Sequence, residues 1–453
     1  MSRAEIITRT KTTLSKIIIF STPKLGTSII MGFADFALFT LYALAYQVTP
    51  ILVGLALGLG KLTIAASQFF FGWISDSKYT RFGRRKPYLI IMSPILGFSF
   101  ILLLLPSLII DLNDLQGLFV WLLLWYQIFN ICYGVTSPYG SWMAEQFTVE
   151  DRPRAAQYQS GFSFVGNAIM ILFSMVVLTA FIERIQEAPD IIPPEFLFNV
   201  IIFGTIPVVF FYLASFLMPT EYNFKIESSV FQNLKTILTH KNFLLVTVMQ
   251  GIASIAIVMI GNTMLQYIIL VLQLKDEEYY IVAALMIFGI LGFLYIWRRI
   301  IEKIGKKRSL LCMFLALILF LPLTLLGLIP MDSYFALGII FILGLAGCLG
   351  GWYLFPAIMY ADIAEDDEKK TGELKAGIYQ GFPSITLNIF QAIGLFLLGI
   401  ILDLPVIGNL PYSIGFILWG PICSAVLIVA YFYSRKFIQL DFKWEKNLNE
   451  VSR

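Results

Sequence analysis

Two residues of opposite charge stand deep inside long apolar stretches of this 453-residue chain: Asp35 and Lys61. An ionisable side chain in hydrocarbon costs roughly 2.5–3.5 kcal/mol on insertion scales, so each one calls for a reason. They lie at similar depth on consecutive antiparallel segments, and an ion pair between them is the economical arrangement. Two readings of the pair are open. Either it locks two helices together, or it faces a cavity, where a carboxylate beside an ammonium accepts hydrogen bonds and can titrate as the cavity opens. Neutral polar residues at helical spacing extend the second reading. Asp35, Tyr42 and Tyr46 share a face at i, i+7 and i+11, and Lys61 and Gln68 do the same. Further stripes run through Ser160, Ser163 and Asn167, through Gln250, Ser254, Asn262 and Gln266, and through Gln380, Ser384 and Asn388, with Gln391 one turn on. Amides and hydroxyls offer paired donors and acceptors that suit vicinal hydroxyl groups, and aromatic faces such as Tyr42 or Trp352 can stack on a pyranose ring. Any one of these residues also serves as hydrogen-bonded glue between helices. Stripes in both halves of the chain together point to a cavity.

Positioning those residues takes twelve apolar segments, each long enough to cross ~30 Å of hydrocarbon. They run over 26–48, 50–75, 87–109, 115–140, 157–182 and 196–218, then 242–271, 277–298, 309–329, 334–358, 375–402 and 410–434. All but three of the 32 Lys and Arg residues fall on one side of this ladder, in the N-terminal tail, the even-numbered connections and the C-terminal tail. The exceptions are Lys61 within a span and Arg184 and Lys275 in odd-numbered connections. This bias puts both termini in the cytoplasm of a multi-pass cell-membrane protein. At 58% hydrophobic and 13% charged, the chain is too apolar for a soluble domain of its length. The net charge of +3 is topology signal and needs no nucleic-acid partner. Cys132, Cys312, Cys348 and Cys423 sit within spans, as small hydrophobes do. No cleavable signal peptide is expected, and the stretch from Glu5 to Lys24 reads equally as a surface-lying segment or a disordered tail. With one histidine, His240, and no nucleotide loop or catalytic constellation, neither an enzyme nor a cofactor or metal is expected.

The chain carries one plan twice. Arg81-Phe82-Gly83-Arg84-Arg85-Lys86 after the second span is matched half a chain later by Lys303-Ile304-Gly305-Lys306-Lys307-Arg308 after the eighth. Met143-Ala144-Glu145 is matched by Met359-Tyr360-Ala361-Asp362 near the end of the tenth. An even number of spans separates the copies, so the halves share an orientation. The expected parts are a tail (1–25), a six-helix bundle (26–218), a cytoplasmic linker (219–241), a second bundle (242–434) and a tail (435–453). This layout resembles the major facilitator superfamily, and the fold expected is all-α with twelve transmembrane helices in two bundles related by pseudo-two-fold symmetry.

The loop after the second span is the sharpest motif. Gly72 permits close helix approach, and Asp76 can accept hydrogen bonds from Arg81 or Arg84, which makes a carboxylate–guanidinium latch at an inward gate. Gly72, Asp76, Arg81, Gly83, Arg84, Arg85 and Asp362 are the expected gate residues. The basic cluster alone would also serve as a topology signal. Four residues separate Asp76 from Arg81-Phe82-Gly83-Arg84-Arg85, and in that expanded form the loop is similar to the glycoside–pentoside–hexuronide:cation symporter family and the related sucrose transporters. Ala361-Asp362-Ile363-Ala364-Glu365 with Lys370-Thr371-Gly372 resembles the same family, and Ser163 to Asn167 looks like the fifth span of the sucrose branch. The resemblance implies that Asp35 binds sugar hydroxyls and that Lys61 matches a second-span basic position.

The departures shape the expectation. The family's second-span carboxylates fall at Ile64 and Gln68, its fourth-span Asp at Thr136, its fifth-span Arg at Ser160 and its eleventh-span Lys at Asn388. A neutral amide with an isoleucine does not replace two carboxylates around a hard cation. The expected function is therefore secondary transport of a neutral sugar or glycoside by alternating access, as a monomer, coupled to protons through Asp35 and not to sodium. A sugar uniporter and a lysolipid-type carrier are the alternatives. The substrate residues expected are Asp35, Tyr42, Lys61, Gln68, Thr136, Ser160, Asn167, Asn262, Gln266, Trp352, Gln380 and Asn388.

Overall fold

The computed structural model describes residues 13–148, 151–187, 191–220, 240–329, 331, 333–371, 383–408 and 410–440. Among them are twelve helices long and apolar enough to cross a membrane, six in each of two compact units, Met1–Glu227 and Ser228–Arg453. The first unit holds α1 (Leu14–Phe36), α2 (Pro50–Ser75), α3 (Lys86–Leu104), α4 (Leu115–Met143), α5 (Arg154–Ile185) and α6 (Pro194–Leu217). The second holds α7 (Lys241–Leu272), α8 (Glu277–Ile304), α9 (Lys306–Leu328), α10 (Phe335–Asp367), α11 (Pro383–Leu402) and α12 (Gly415–Phe437). The expected all-helical architecture is what the chain adopts. Among the described residues the sole strand-like feature is a bridge between Thr80 and Gly83.

Within each unit the same helices meet. In the first, α1 packs on α5 and α6, α2 on α4, and α3 on α4 and α6. In the second, α7 packs on α11 and α12, α8 on α10, and α9 on α10 and α12. The duplicated loops therefore belong to duplicated tertiary structure.

The first span begins well before residue 26. Thr13 caps a helix at Leu14, a turn at Thr22 leads into Pro23, and the helix runs on to Phe36. Lys16 and Lys24 made this stretch read as a tail, but Ile17 and Phe20 are fully buried. Lys16 Nζ donates to the Gln146 carbonyl at 2.9 Å, and the Tyr139 hydroxyl donates to the Phe20 carbonyl at 2.5 Å. The ring of Phe20 packs on Tyr139, Trp142 and Phe147. A charged residue whose ammonium reaches a helix-end carbonyl does not interrupt a span.

The far ends of α1 and α7 share a second device. Each passes into a π-turn, Leu41–Ala45 or Ile268–Leu272, and then into a left-handed glutamine, Gln47 (φ 54°) or Gln273 (φ 46°). A π-turn adds a residue to the helical repeat and rotates the side chains beyond it. The shared face expected for Asp35, Tyr42 and Tyr46 is lost because a break at Ala37 (φ −119°) separates Asp35 from Tyr42 and the π-turn then separates Tyr42 from Tyr46. Tyr42 and Tyr46 are buried, and their hydroxyls donate to the carbonyls of Leu103 (2.7 Å) and Leu104 (2.8 Å) at the end of α3. The preceding carbonyl, Leu102, has no α-helical donor because Pro106 lacks an N–H. It accepts from Trp121 Nε1 at 2.8 Å instead. In the second unit Tyr267 donates to Thr324 O (3.3 Å) and Tyr412 to Gly327 O (3.2 Å) at the end of α9.

Tyr42 is thus a cap for α3 rather than a group open to substrate. Tyr42→Phe is expected to lower stability by about 1 kcal/mol, the worth of one such hydrogen bond, and to leave ligand binding unchanged. Thermal unfolding in detergent with and without ligand checks this. Loss of binding at unchanged stability would return Tyr42 to the substrate site.

Candidate functional site

Lys61 Nζ lies 2.5 Å from Asp35 Oδ1, so the two mid-span charges form one ion pair between α1 and α2. The partners are unequally buried. The Lys61 side chain is 5% exposed and that of Asp35 43%. Lys61 is set in the interior by its neighbour: a Cβ on Gly60 would come 2.0 Å from a ring carbon of Tyr126, so glycine here lets α2 and α4 meet closely. Tyr126 and Tyr133 of α4 lie within reach of the Asp35 charge. Tyr126, Asn130 and Tyr133 stand at i, i+4 and i+7, a stripe visible in the sequence and absent from the expected set.

Asp35 belongs to an open stripe. Lys24, Ser28, Met31 and Asp35, spaced i, i+4, i+7 and i+11 on α1, are all half-buried, while Thr27, Phe33 and Ala34 beside them are buried. Lys24, expected in the tail, stands on this stripe with no partner among the described residues. Two turns from Lys61 along α2, the Gln68 amide donates to Thr136 Oγ1 at 3.4 Å, and Thr136 donates to the Tyr133 carbonyl at 2.8 Å. Asn167 of α5 is exposed, and its Oδ1 would be 3.1 Å from a Cβ on Gly32, one turn before Asp35. Ser160 is exposed two turns earlier on α5. The first unit therefore brings together Asp35 and Lys61, and separately Gln68 and Thr136, with Asn167 set close to the turn that carries Asp35.

The candidates of the second unit are arranged differently. Asn262 and Gln266, one turn apart on α7, are buried, and both polar atoms of the Gln266 side chain lack a hydrogen-bond partner. Asn262 Nδ2 donates to the Val258 carbonyl at 2.9 Å. Trp352 is buried on α10. Asn388 is half-buried, its amide donating to the Ser384 carbonyl at 2.8 Å. Gln250 accepts from the Tyr360 hydroxyl, which joins α7 to α10. Gln380 lies outside the described residues.

On the cytoplasmic side a carboxylate–guanidinium tie forms between α3 and α4 at Arg85. The Asp76 side chain lies outside the described residues. Arg81 is exposed with its guanidinium 4.7 Å from the centre of the Phe82 ring, and Arg84 is buried. Arg85 reaches a carboxylate: its NH2 donates to Glu145 Oε1 at 2.9 Å and its NH1 to Ser75 Oγ at 2.7 Å. Both charged side chains are buried. Lys86, the next residue, donates to the Met218 carbonyl at 2.6 Å. Gly83 makes the turn possible with φ 97°, its backbone paired both ways with Thr80. A Cβ on Gly72 would come 3.0 Å from Ser137 Oγ on α4. In the second unit Lys306 Nζ meets Asp362 Oδ2 at 2.7 Å. Each unit thus ties the start of its third helix to the end of its fourth. The matched carboxylates Glu145 and Asp362 were legible as a repeat, but their partners depend on how the helices pack.

Residues 19–409 match the family described as MFS/sugar transport protein. The chain belongs to that family. It is a multi-pass membrane protein and a secondary transporter of the major facilitator superfamily. Solved structures with the same fold include a D-xylose–proton symporter (TM-score 0.69, 11% identity, 94% of this chain and 98% of that one). The nucleoside transporter NupG (0.63, 12%, 95% and 100%) is another. A third is a bacterial homolog of the human lysosomal transporter Spinster in an inward-facing, unoccupied conformation (0.61, 13%, 96% and 97%). At such identities these likenesses show the fold alone. No curated protein is a significant match.

The two cytoplasmic pairs of the transporter differ in burial, and so in what breaking them costs. Glu145→Gln strands a buried guanidinium and is expected to lower stability by about 3–5 kcal/mol, with part recovered in Arg85→Gln/Glu145→Gln. Asp362→Asn, whose partner Lys306 is a quarter exposed, is expected to cost about 1 kcal/mol. Equal losses in thermal unfolding would contradict the assignment.

Proposed function

We propose that this transporter moves a neutral sugar or glycoside by alternating access, as a monomer in the cell membrane, and that it belongs to the glycoside–pentoside–hexuronide branch of the superfamily. The observation that carries the reading is the unequal burial of the Asp35–Lys61 pair. One carboxylate oxygen is held by a buried ammonium, and the rest of the carboxylate faces the open stripe of α1. A carboxylate so placed accepts hydrogen bonds from two adjacent hydroxyls without a change in net charge at the site. A neutral polyol fits this better than an ion, because the pair is already compensated. Tyr133, Asn167, Gln68 and Thr136 supply further hydroxyl and amide groups on the same unit. Asn262, Gln266, Trp352 and Asn388 are proposed as the second unit's contributors, and the unsatisfied amide of Gln266 supports this, since a buried amide gains most from a new partner.

A second reading has one observation behind it. Lys24 is a cation without a partner among the described residues, on the same stripe as Asp35. That favours a substrate with an anionic group, such as a lysophospholipid headgroup. A thermal-shift screen of purified protein against neutral mono- and disaccharides and against lysolipids separates the two. Neutral sugars are expected to raise the melting temperature, by about 2.7 kcal/mol of linkage at a hundredfold excess over Kd, with the effect lost in Asp35→Asn. Stabilisation by lysolipids alone, lost in Lys24→Gln and retained in Asp35→Asn, would overturn the sugar reading.

A further inference from the structure

Asp35 is the one carboxylate near the middle of a span among the described residues, and its partner is built into the chain. Lys61 Nζ sits 2.5 Å from Asp35 Oδ1 and makes no other hydrogen bond or ion pair among the described residues. Its side chain is almost fully buried, and the contact of Gly60 with Tyr126 holds that stretch of α2 against α4. Its charged partner is Asp35 from α1, whose charge Tyr126 and Tyr133 of α4 in turn feel.

Coupling transport to an ion requires that the ion bind and leave once in each cycle, and that its binding change the affinity for substrate. A proton on Asp35 would leave the Lys61 ammonium buried without a counter-charge, which is strongly unfavourable in low dielectric. A sodium or lithium ion at the open Asp35 oxygen would sit beside the ammonium already on Oδ1, and the like charges would repel. A cation on a four-carbon stem fills the place and cannot leave.

We infer that Lys61 is a tethered counter-cation, which stands beside Asp35 where a mobile coupling ion would bind, so that the carrier moves its substrate without a stoichiometric proton or sodium ion. This rests on the reading of Asp35 as the carboxylate that meets substrate, and it replaces the expected proton coupling through Asp35. Removing the tether should open the place to free cations.

The experiment needs no substrate, so its failure is distinct from failure of the sugar reading. Melting temperatures of purified protein are compared in sodium, lithium, ethylammonium and choline chloride at equal ionic strength. The wild type is expected to melt alike in all four. Lys61→Ala is expected to melt lower in choline and to gain a saturable rise with ethylammonium, which replaces the lost amine. The rise is expected to vanish in Asp35→Asn/Lys61→Ala. Lys61→Gln, which keeps most of the stem's bulk, stands in if Lys61→Ala does not survive extraction. A saturable sodium or lithium shift in the wild type would show a mobile-ion site and overturn the inference. So would neutral Lys61 variants that no small cation stabilises over choline.

Discussion

Hydrocarbon supplies no hydrogen-bond partners and almost no screening, so every charge and every freed carbonyl within the spans has to be answered by the chain itself. Much of this structure is a set of such answers. Asp35 is answered by Lys61, Arg85 by Glu145, and the carbonyls at the end of α3 by Trp121, Tyr42 and Tyr46. Each answer joins two different helices, so polar satisfaction and helix packing are one problem here. Lys24 and Gln266 are among the described exceptions, and both stand on helices that open their units.

Duplication explains why the answers come in pairs. Both units end their first helix in a π-turn and a left-handed glutamine, cap their third helix with phenols, and tie its start to a carboxylate on the fourth. The chemistry then diverges. Arg85–Glu145 is buried, whereas Lys306–Asp362 is partly open. Mid-span charge is confined to the first unit among the described residues, and the second offers neutral amides at corresponding depths.

The unequal burial of Asp35 and Lys61 gives that divergence its functional weight. A symmetric buried pair would be a fastener between α1 and α2. With the ammonium enclosed and the carboxylate open, the same contact is proposed as a neutral acceptor site with a permanent counter-charge, suited to hydroxyl-bearing ligands.

Twelve spans, their direction and the twofold plan were legible in the residues, because hydropathy and Lys/Arg placement act locally and the lipid rewards them directly. The Asp35–Lys61 pair was legible for the same reason: two opposite charges in adjacent spans have few other ways to be satisfied. The start of α1 was not. Lys16 and Lys24 looked like tail charges until packing showed one ammonium reaching a helix-end carbonyl and the other on an open stripe. Nor could spacing reveal that Tyr42 turns away from Asp35, since the helix break at Ala37 between them has no signature in residue type. Glu145 was visible as half of a repeat, yet its pairing with Arg85 exists only because the start of α3 packs against the end of α4. Composition determined which groups the bilayer would not tolerate alone; tertiary packing decided which of them meet, because that depends on helix rotation and crossing that no local pattern encodes.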